Sequence, residues 1–340
     1  MQKKITAGRT PRITIRDVAS DAGVSVAAVS KVLRDAYGVS DALRSKVQAS
    51  MDKLNYRPLT SARGLRGRTY TLGLIFPDLR NPFFADIFAG VNTALERTQY
   101  QAMQGISTSV HALVDAMVDR QMDGLILIGP NEQAERLEEI SARLPLVLIG
   151  HHPEGERHFD VVNNDDQLGA RLAIRHLITN GYSRIAMLSL EQPASSVIQQ
   201  REIGYRMEMV EHGLGEHINI VRAPQMLRDV QVVLRRLLKG PDRPEALFCW
   251  TDLMAFEAIS VATELGLIVP DDLAIVGYDN TVFCDFAQNS LTSIDQSGEI
   301  LGLQATRLLI ERINGRAAAD QFVVTPRVVV RASSERSSGD

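Results

Sequence analysis

The residues whose types and spacing suggest chemistry fall into two groups. Near the N-terminus, three hydroxyls (Thr14, Ser25, Ser30) and two cations (Lys31, Arg34) surround two small apolar residues, Val26 and Ala27. Ala27 and Lys31 are four apart, so on a helix they share a face. Hydroxyls and cations bind phosphate oxygens. A small apolar pair suits a thymine methyl or base edge, and a lysine donates to guanine O6 or N7 or to a phosphate. In the second group, Asp78, Thr251, Asp252 and Asp279 each follow a short apolar run. Phe83, Phe84 and Trp250 add flat apolar faces. Polar groups converging beside aromatic ones are the chemistry of a small-molecule pocket.

Elements must exist that hold each group in place. Residues 13–55 read as three short helices. Thr14 is placed to cap the first, whose stripe is Ile15, Val18 and Ala19. Gly23 breaks the pattern, Ser25 caps a second helix with Val26, Val29, Val32 and Leu33, and Ser40 caps a third with Leu43, Val47, Met51 and Leu54. Helix, tight turn and helix make a helix-turn-helix, whose second helix enters a major groove. Pro58 stops the third helix. Residues 59–68 are short, basic and punctuated by Gly64 and Gly67, the composition of a linker.

Charge supports the division. The 340-residue chain has a formal net charge of −4. Residues 1–68, however, hold 14 Lys/Arg against five Asp, a net +9, which leaves −13 for the rest. A basic head on an acidic body points to a polyanion partner for the head.

From Tyr70 onward, short apolar runs alternate with amphipathic stretches. The runs include 72–76, 101–106, 124–128, 146–149, 184–188, 246–249 and 273–276. The helical stretches are 82–98, 111–121, 133–143, 165–179, 197–212, 227–239 and 252–265. Strands apolar throughout, alternating with helices, argue for parallel sheets covered on both faces. About 270 residues exceed one such sheet, so two α/β lobes are expected. Residues 322–330 read as one last strand crossing between them. In open α/β sheets ligands bind beyond the carboxyl ends of strands, so two lobes place those ends across a cleft.

Residues 15–33, Ile-Arg-Asp-Val-Ala-Ser-Asp-Ala-Gly-Val-Ser-Val-Ala-Ala-Val-Ser-Lys-Val-Leu, closely resemble the head of lactose-repressor (LacI/GalR) family regulators. The continuation to Leu54-Asn55-Tyr56-Arg57-Pro58 does so too. The resemblance extends through the body, at residues 74–84, 123–127, 176–186, 201–205, 269–280, 291–293 and 301–305. It implies a helix-turn-helix domain over 1–58, a hinge helix over 59–69 and a two-lobed, periplasmic-binding-protein-like body over 70–340. The lobes would comprise about 70–161 with 293–322, and 162–292 with 323–333.

What the resemblance implies for function is a repressor that binds a pseudo-palindromic operator as a dimer and is switched by a small molecule, sugar-like first. Leu65 holds the place of the leucine that wedges into the central base step. Arg63, Arg66 and Arg68 flank it, suited to phosphates. Gly64 departs from the commoner polar or alanine residue and lowers helix propensity by about 1 kcal/mol. Arg201 stands at the family's effector-binding arginine, and Gln296 joins the expected effector contacts. Thr251 replaces the usual Asn before Asp252, and residues 107–110 form an unusually short connection.

Other functions find little support. There is no phosphate-binding G-x-x-x-x-G-K-[ST] loop, no G-x-G-x-x-G after a strand and no G-x-S-x-G elbow, so no enzyme and no cofactor are expected. A plain solute receptor would lack the basic head and would carry a secretory signal, which the first residues do not resemble. No apolar run is long enough to span a bilayer. Cys249 and Cys284 are expected as two reduced, buried thiols of a cytoplasmic protein. His151, His152 and His158 form a His-rich loop without metal-ligand spacing, so no metal is expected. The polar stretch 331–340 lacks heptads, which implies a dimer without a coiled-coil tetramer.

Affinity for duplex DNA is expected to fall steeply with salt, with a log–log slope of about −0.9 per neutralised phosphate. Fluorescence anisotropy across a salt series reads that slope, and a flat line contradicts a phosphate-binding head.

Overall fold

A computed structural model describes residues 13–33, 36–56, 68–107, 110–191, 195–224 and 226–335. Contacts divide the chain into residues 1–69 and 70–340.

In the first unit, α1 (Ile15–Asp21), α2 (Val26–Leu33) and α3 (Asp41–Lys53) surround a small core of Val18, Val29, Val32, Val47 and Met51. The caps are those the sequence suggests. Asp17 reaches back to both N and Oγ1 of Thr14, each at 2.7 Å. Ser25 Oγ accepts from Ala28 N at 3.1 Å, and Ser40 Oγ from Leu43 N at 3.3 Å. Gly23 takes φ +57° in the turn, a conformation that favours glycine. Ser50 ties α3 to α1 through Val18 O and Asp21, and Lys53 pairs with Asp21 at 2.6 Å.

The second unit holds two six-stranded sheets. The strands of the first are β1 (Thr71–Phe76), β2 (Gln101–Ile106), β3 (Gly124–Ile128), β4 (Leu146–Ile149), β5 (Asp160–Asn164) and β11 (Gln321–Val324). Their spatial order is β11-β5-β4-β3-β1-β2, and every pairing is parallel. The second sheet holds β6 (Ile185–Leu190), β7 (Asn219–Ala223), β8 (Ala246–Cys249), β9 (Ala274–Asp279), β10 (Thr292–Asp295) and β12 (Arg327–Val329). Its order is β12-β10-β9-β8-β6-β7, with only β12 antiparallel. Between the strands run α4 (Phe83–Leu95), α5 (His111–Asp119), α6 (Ala134–Ser141), α7 (Asp166–Thr179), α8 (Ser196–Glu211), α9 (Leu227–Lys239), α10 (Asp252–Glu264) and α11 (Gly298–Ile313). Each sheet is covered on both faces, as its apolar strands require.

Two expectations need correction. The expected strand over 322–330 is two short strands, one in each sheet, because Pro326 between them has no N–H for a ladder. The expected lobe boundaries at 161/162, 292/293 and 322/323 fall inside β5, β10 and β11. The chain instead crosses at 164–166, 295–298 and 324–327. Residues 331–335 pack onto the second sheet, where Ile275 N donates to Ser333 O and Ser334 Oγ reaches Thr292.

Helices α4 and α11 pack backbone to backbone beside the first sheet. A Cβ at Gly302 would overlap the carbonyl oxygen of Ile87, and one at Gly90 would overlap that of Glu299. Only glycine allows this approach, which sets where the start of α4 brings Phe83 and Phe84. Gly302→Ala is expected to destabilise the body by about 1–3 kcal/mol through overpacking. The check is a lower urea midpoint at unchanged slope; an unchanged midpoint contradicts the close approach.

Candidate functional site

On the head, Ser25, Val26, Ala27 and Lys31 are exposed along the start of α2, and Val26 is 43% accessible although apolar. Val29 and Val32 serve the core from the opposite side of the same helix. Thr14 is exposed at the start of α1, and Ser30 is half-buried. Ser25 combines exposure with its cap on α2. Arg34, Arg63, Gly64, Leu65 and Arg66 lie outside the described residues.

In the body, the carboxyl ends of the two sheets face a cavity of about 270 Å³. That is near the lower end for small-molecule pockets. Phe83, Phe84, Arg201, Trp250, Thr251, Asp279 and Gln296 line it, all of them expected from the sequence. So do Asn81, Asn164 and Asp166, which were not expected.

Arg201 is the centre of this wall. It is 4% exposed. Its Nε donates to Asp166 Oδ1 at 2.7 Å, one Nη to the Trp250 carbonyl at 2.8 Å and the other to Gln296 Oε1 at 3.3 Å. The Trp250 ring lies 4.1 Å from its Cζ, and the Tyr278 ring 3.5 Å. Burial works against the charges of both Arg201 and Asp166. Their attraction outweighs it, raising the guanidinium's pKa and lowering the carboxyl's. Asp166 is held further by His152 Nε2 at 2.8 Å.

Asp279 faces the same space from the end of β9. Its φ of +118°, followed by +54° at Asn280, turns the chain where the carboxyl points inward. It accepts from Asn81 Nδ2 at 2.8 Å and Gln296 Nε2 at 2.6 Å. Burial, then the nearby Asp252 carboxylate, push its pKa well above the usual carboxylate range despite Arg201. Asn81 belongs to the first lobe and Asp279 to the second, so this bond closes the cleft. Asn164 Nδ2 donates to the Tyr278 hydroxyl at 2.6 Å, a second bond between the sheets' ends.

Two expected residues are elsewhere. Asp252 does not line the cavity. Its carboxylate is fully buried behind α10 and accepts from Ser293 Oγ at 2.5 Å, Thr281 N at 2.7 Å and Cys284 Sγ at 3.1 Å. Asp78 does not line it either, because Arg80 takes its carboxylate at 2.8 Å through Nε. Thr251 lines the cavity and caps α10, accepting from Met254 N at 3.4 Å. Ser107 and Val110 also line the cavity, while residues 108–109 lie outside the description.

The His-rich loop has three separate fates. His151 is half-buried beside Phe159, and burial followed by the charge of His152 lowers its pKa to about 4. His152 reaches across the cleft to Asp166 and Ser196. His158 pairs with Glu138 at 2.9 Å. Among the described residues no group of three His, Cys, Asp or Glu could hold a metal ion.

Known proteins resemble this chain in sequence and fold. Residues 14–58 match the family described as bacterial regulatory proteins, lacI family, and residues 174–334 match the periplasmic binding protein-like domain. The chain is 30% identical to the HTH-type transcriptional repressor PurR of Photobacterium profundum, over 94% of this chain and 98% of that one. It is 32% identical to catabolite control protein A of Priestia megaterium, over 95% and 99%. Among solved structures, the transcriptional regulator CelR–cellobiose complex superposes with a TM-score of 0.71 at 28% identity, covering 95% of this chain and 100% of that one. The Lac repressor bound to ONPG in its repressed state gives 0.81 at 25% identity, with the same coverage. These relatives are regulators of transcription, not enzymes. Similarity over nearly the full length of such proteins, with head and two-lobed body in the same order, establishes that this chain belongs to the LacI family of DNA-binding transcriptional repressors.

Proposed function

We propose that the protein binds a pseudo-palindromic operator as a homodimer in the cytoplasm and is switched by a small, sugar-like effector held between its lobes. The observation that carries this reading is the cavity at the strands' carboxyl ends, lined by a buried Arg201 with three of its donors held by the protein. Cellobiose in CelR and ONPG in the Lac repressor, both bound in proteins of this architecture, support a sugar-like ligand.

On the DNA side, Val26 and Ala27 make apolar contact with base edges, and Lys31 donates to a guanine or a phosphate. Thr14, Ser25, Ser30 and Arg34 hold phosphates. Residues 1–58 serve as the reading domain and 59–69 as the hinge. There Leu65 wedges into the minor groove while Arg63 and Arg66 hold the backbone. Two such chains set their α2 helices about one helical turn, ~34 Å, apart.

On the effector side, Phe83, Phe84 and Trp250 flank the ligand, and Arg201, Thr251, Asp279 and Gln296 meet its polar groups. Asp78 and Asp252 take no part, their carboxylates being held by Arg80 and Ser293. An effector changes the DNA affinity only by preferring one arrangement of the lobes. The bonds from Asn81 to Asp279 and from His152 to Asp166 and Ser196 join the two lobes, so they are what a ligand that shifts one lobe against the other strengthens or breaks.

Two variants separate the halves of the reading. Leu65→Ala is expected to weaken operator binding and reduce DNA bending while the effector response persists. Arg201→Ala is expected to abolish the response while leaving effector-free DNA affinity nearly intact. Band-shift titration with and without effector measures both. Equal bending by Leu65→Ala removes the wedge, and an unchanged effector response in Arg201→Ala removes that residue from the pocket.

A further inference from the structure

On the reading that the cleft is the effector site, three observations specify the charge and shape of what it takes. The first concerns cations. Arg201 is the single cation among the described residues lining the cavity. Its charge is already met by Asp166 at 2.7 Å, the Trp250 and Tyr278 rings lie against it, and three of its donors are engaged within the protein. Asp166 and Asp279 both line the same space, so the wall has no surplus of positive charge to offer. A phosphate or carboxylate entering here would be buried without a counter-ion.

The second observation is an unused acceptor. Asn164 is 3% exposed and lines the cavity, and its Oδ1 has no hydrogen-bond partner. The orientation of its amide follows from its neighbour. The Tyr278 hydroxyl donates toward Asp166 at 3.4 Å, so it accepts from Asn164 Nδ2 and leaves Oδ1 free. A buried acceptor without a partner calls for a donor from the ligand. The third observation is the opposite wall, where Ile75, Phe84, Leu127 and Ile149 present apolar surface from the first lobe.

We propose that the cleft takes an uncharged ligand that donates hydrogen bonds to Asn164 Oδ1 and the Asp279 carboxyl, lays an apolar edge on Phe84 and Leu127, and rejects phosphorylated or carboxylated compounds. The two remaining N–H groups of Arg201 suit hydroxyl or ring oxygens of such a ligand, which need no net charge to accept.

Trp250 is the only tryptophan in the chain and sits in the cavity wall, so its emission reports occupancy. Full-length protein is titrated with matched pairs: glucose and glucose 6-phosphate, ribose and ribose 5-phosphate, adenosine and AMP, phenyl glucoside and its 6-phosphate, with inorganic phosphate alone as a further probe. In every pair that responds, the neutral member is expected to bind at least about tenfold more tightly, roughly 1.4 kcal/mol. Inorganic phosphate is expected to give no saturable change. Asn164→Ala and Asp279→Asn, checked for folding by circular dichroism, are expected to weaken the responding neutral ligand by a similar factor. A phosphorylated member that binds as tightly as its neutral partner overturns the proposal, as does saturable phosphate binding or silence from every neutral member. Salt-dependent duplex binding by the same preparation keeps the regulator reading intact in any of those cases; its absence would instead sink that reading.

Discussion

A guanidinium removed from water must receive its counter-charge and its hydrogen-bond acceptors from the protein, and at Arg201 that requirement organises the body. Its partners come from four places in the chain: Asp166 at the start of α7, the Trp250 carbonyl after β8, Tyr278 on β9, and Gln296 in a crossing between lobes. Each lies at or just beyond the carboxyl end of a strand, where parallel sheets leave room for a ligand. Breaking such a buried pair from one side costs about 3–5 kcal/mol, because the remaining charge is left without compensation. The two sheets therefore meet the electrostatic demand of one side chain and enclose the cavity in the same act. Because that demand is met from within, the cavity is left polar without being positive.

The head follows a different constraint. Its core is small, so α2 can spend only one side on Val29 and Val32. The other side carries Val26, Ala27 and Lys31 into solvent, an apolar pair and a cation that packing does not require there. Singly exposed valines are ordinary. Here exposure coincides with the +9 charge of residues 1–68, and the combination suits a groove edged by phosphates. The −13 of the remaining chain disfavours contact of the body with the same duplex.

Much of this was legible in the sequence, for physical reasons. Strands such as 124–128 and 146–149 are apolar throughout because both faces are covered, and they stand out against amphipathic neighbours. β5 and β10 do not, because their buried residues include Asn163, Thr292 and Ser293, whose side chains bond to partners elsewhere in the chain, and Asn164, which faces the cavity. Missing β5 also hid Asn164 and Asp166, which follow its apolar core just as Asp279 follows that of β9. The rule that polar residues after strands face a ligand gives a position, not a direction. Asp252 satisfies it, yet its carboxylate turns to Thr281, Cys284 and Ser293. Asn81 announced itself only as the residue before a Pro-Phe-Phe helix start, and its partner Asp279 lies 198 residues away.

Arg201 and Asp166 act as one unit at the cleft. A double-mutant cycle in full-length protein, using Arg201→Met, Asp166→Leu and the pair, tests it most directly by urea unfolding. Each single change is predicted to cost about 3–5 kcal/mol. The double change is predicted to cost less than their sum, by a coupling of about 1–3 kcal/mol. Losses that simply add would mean that neither charge depends on the other, and that the two are not a unit.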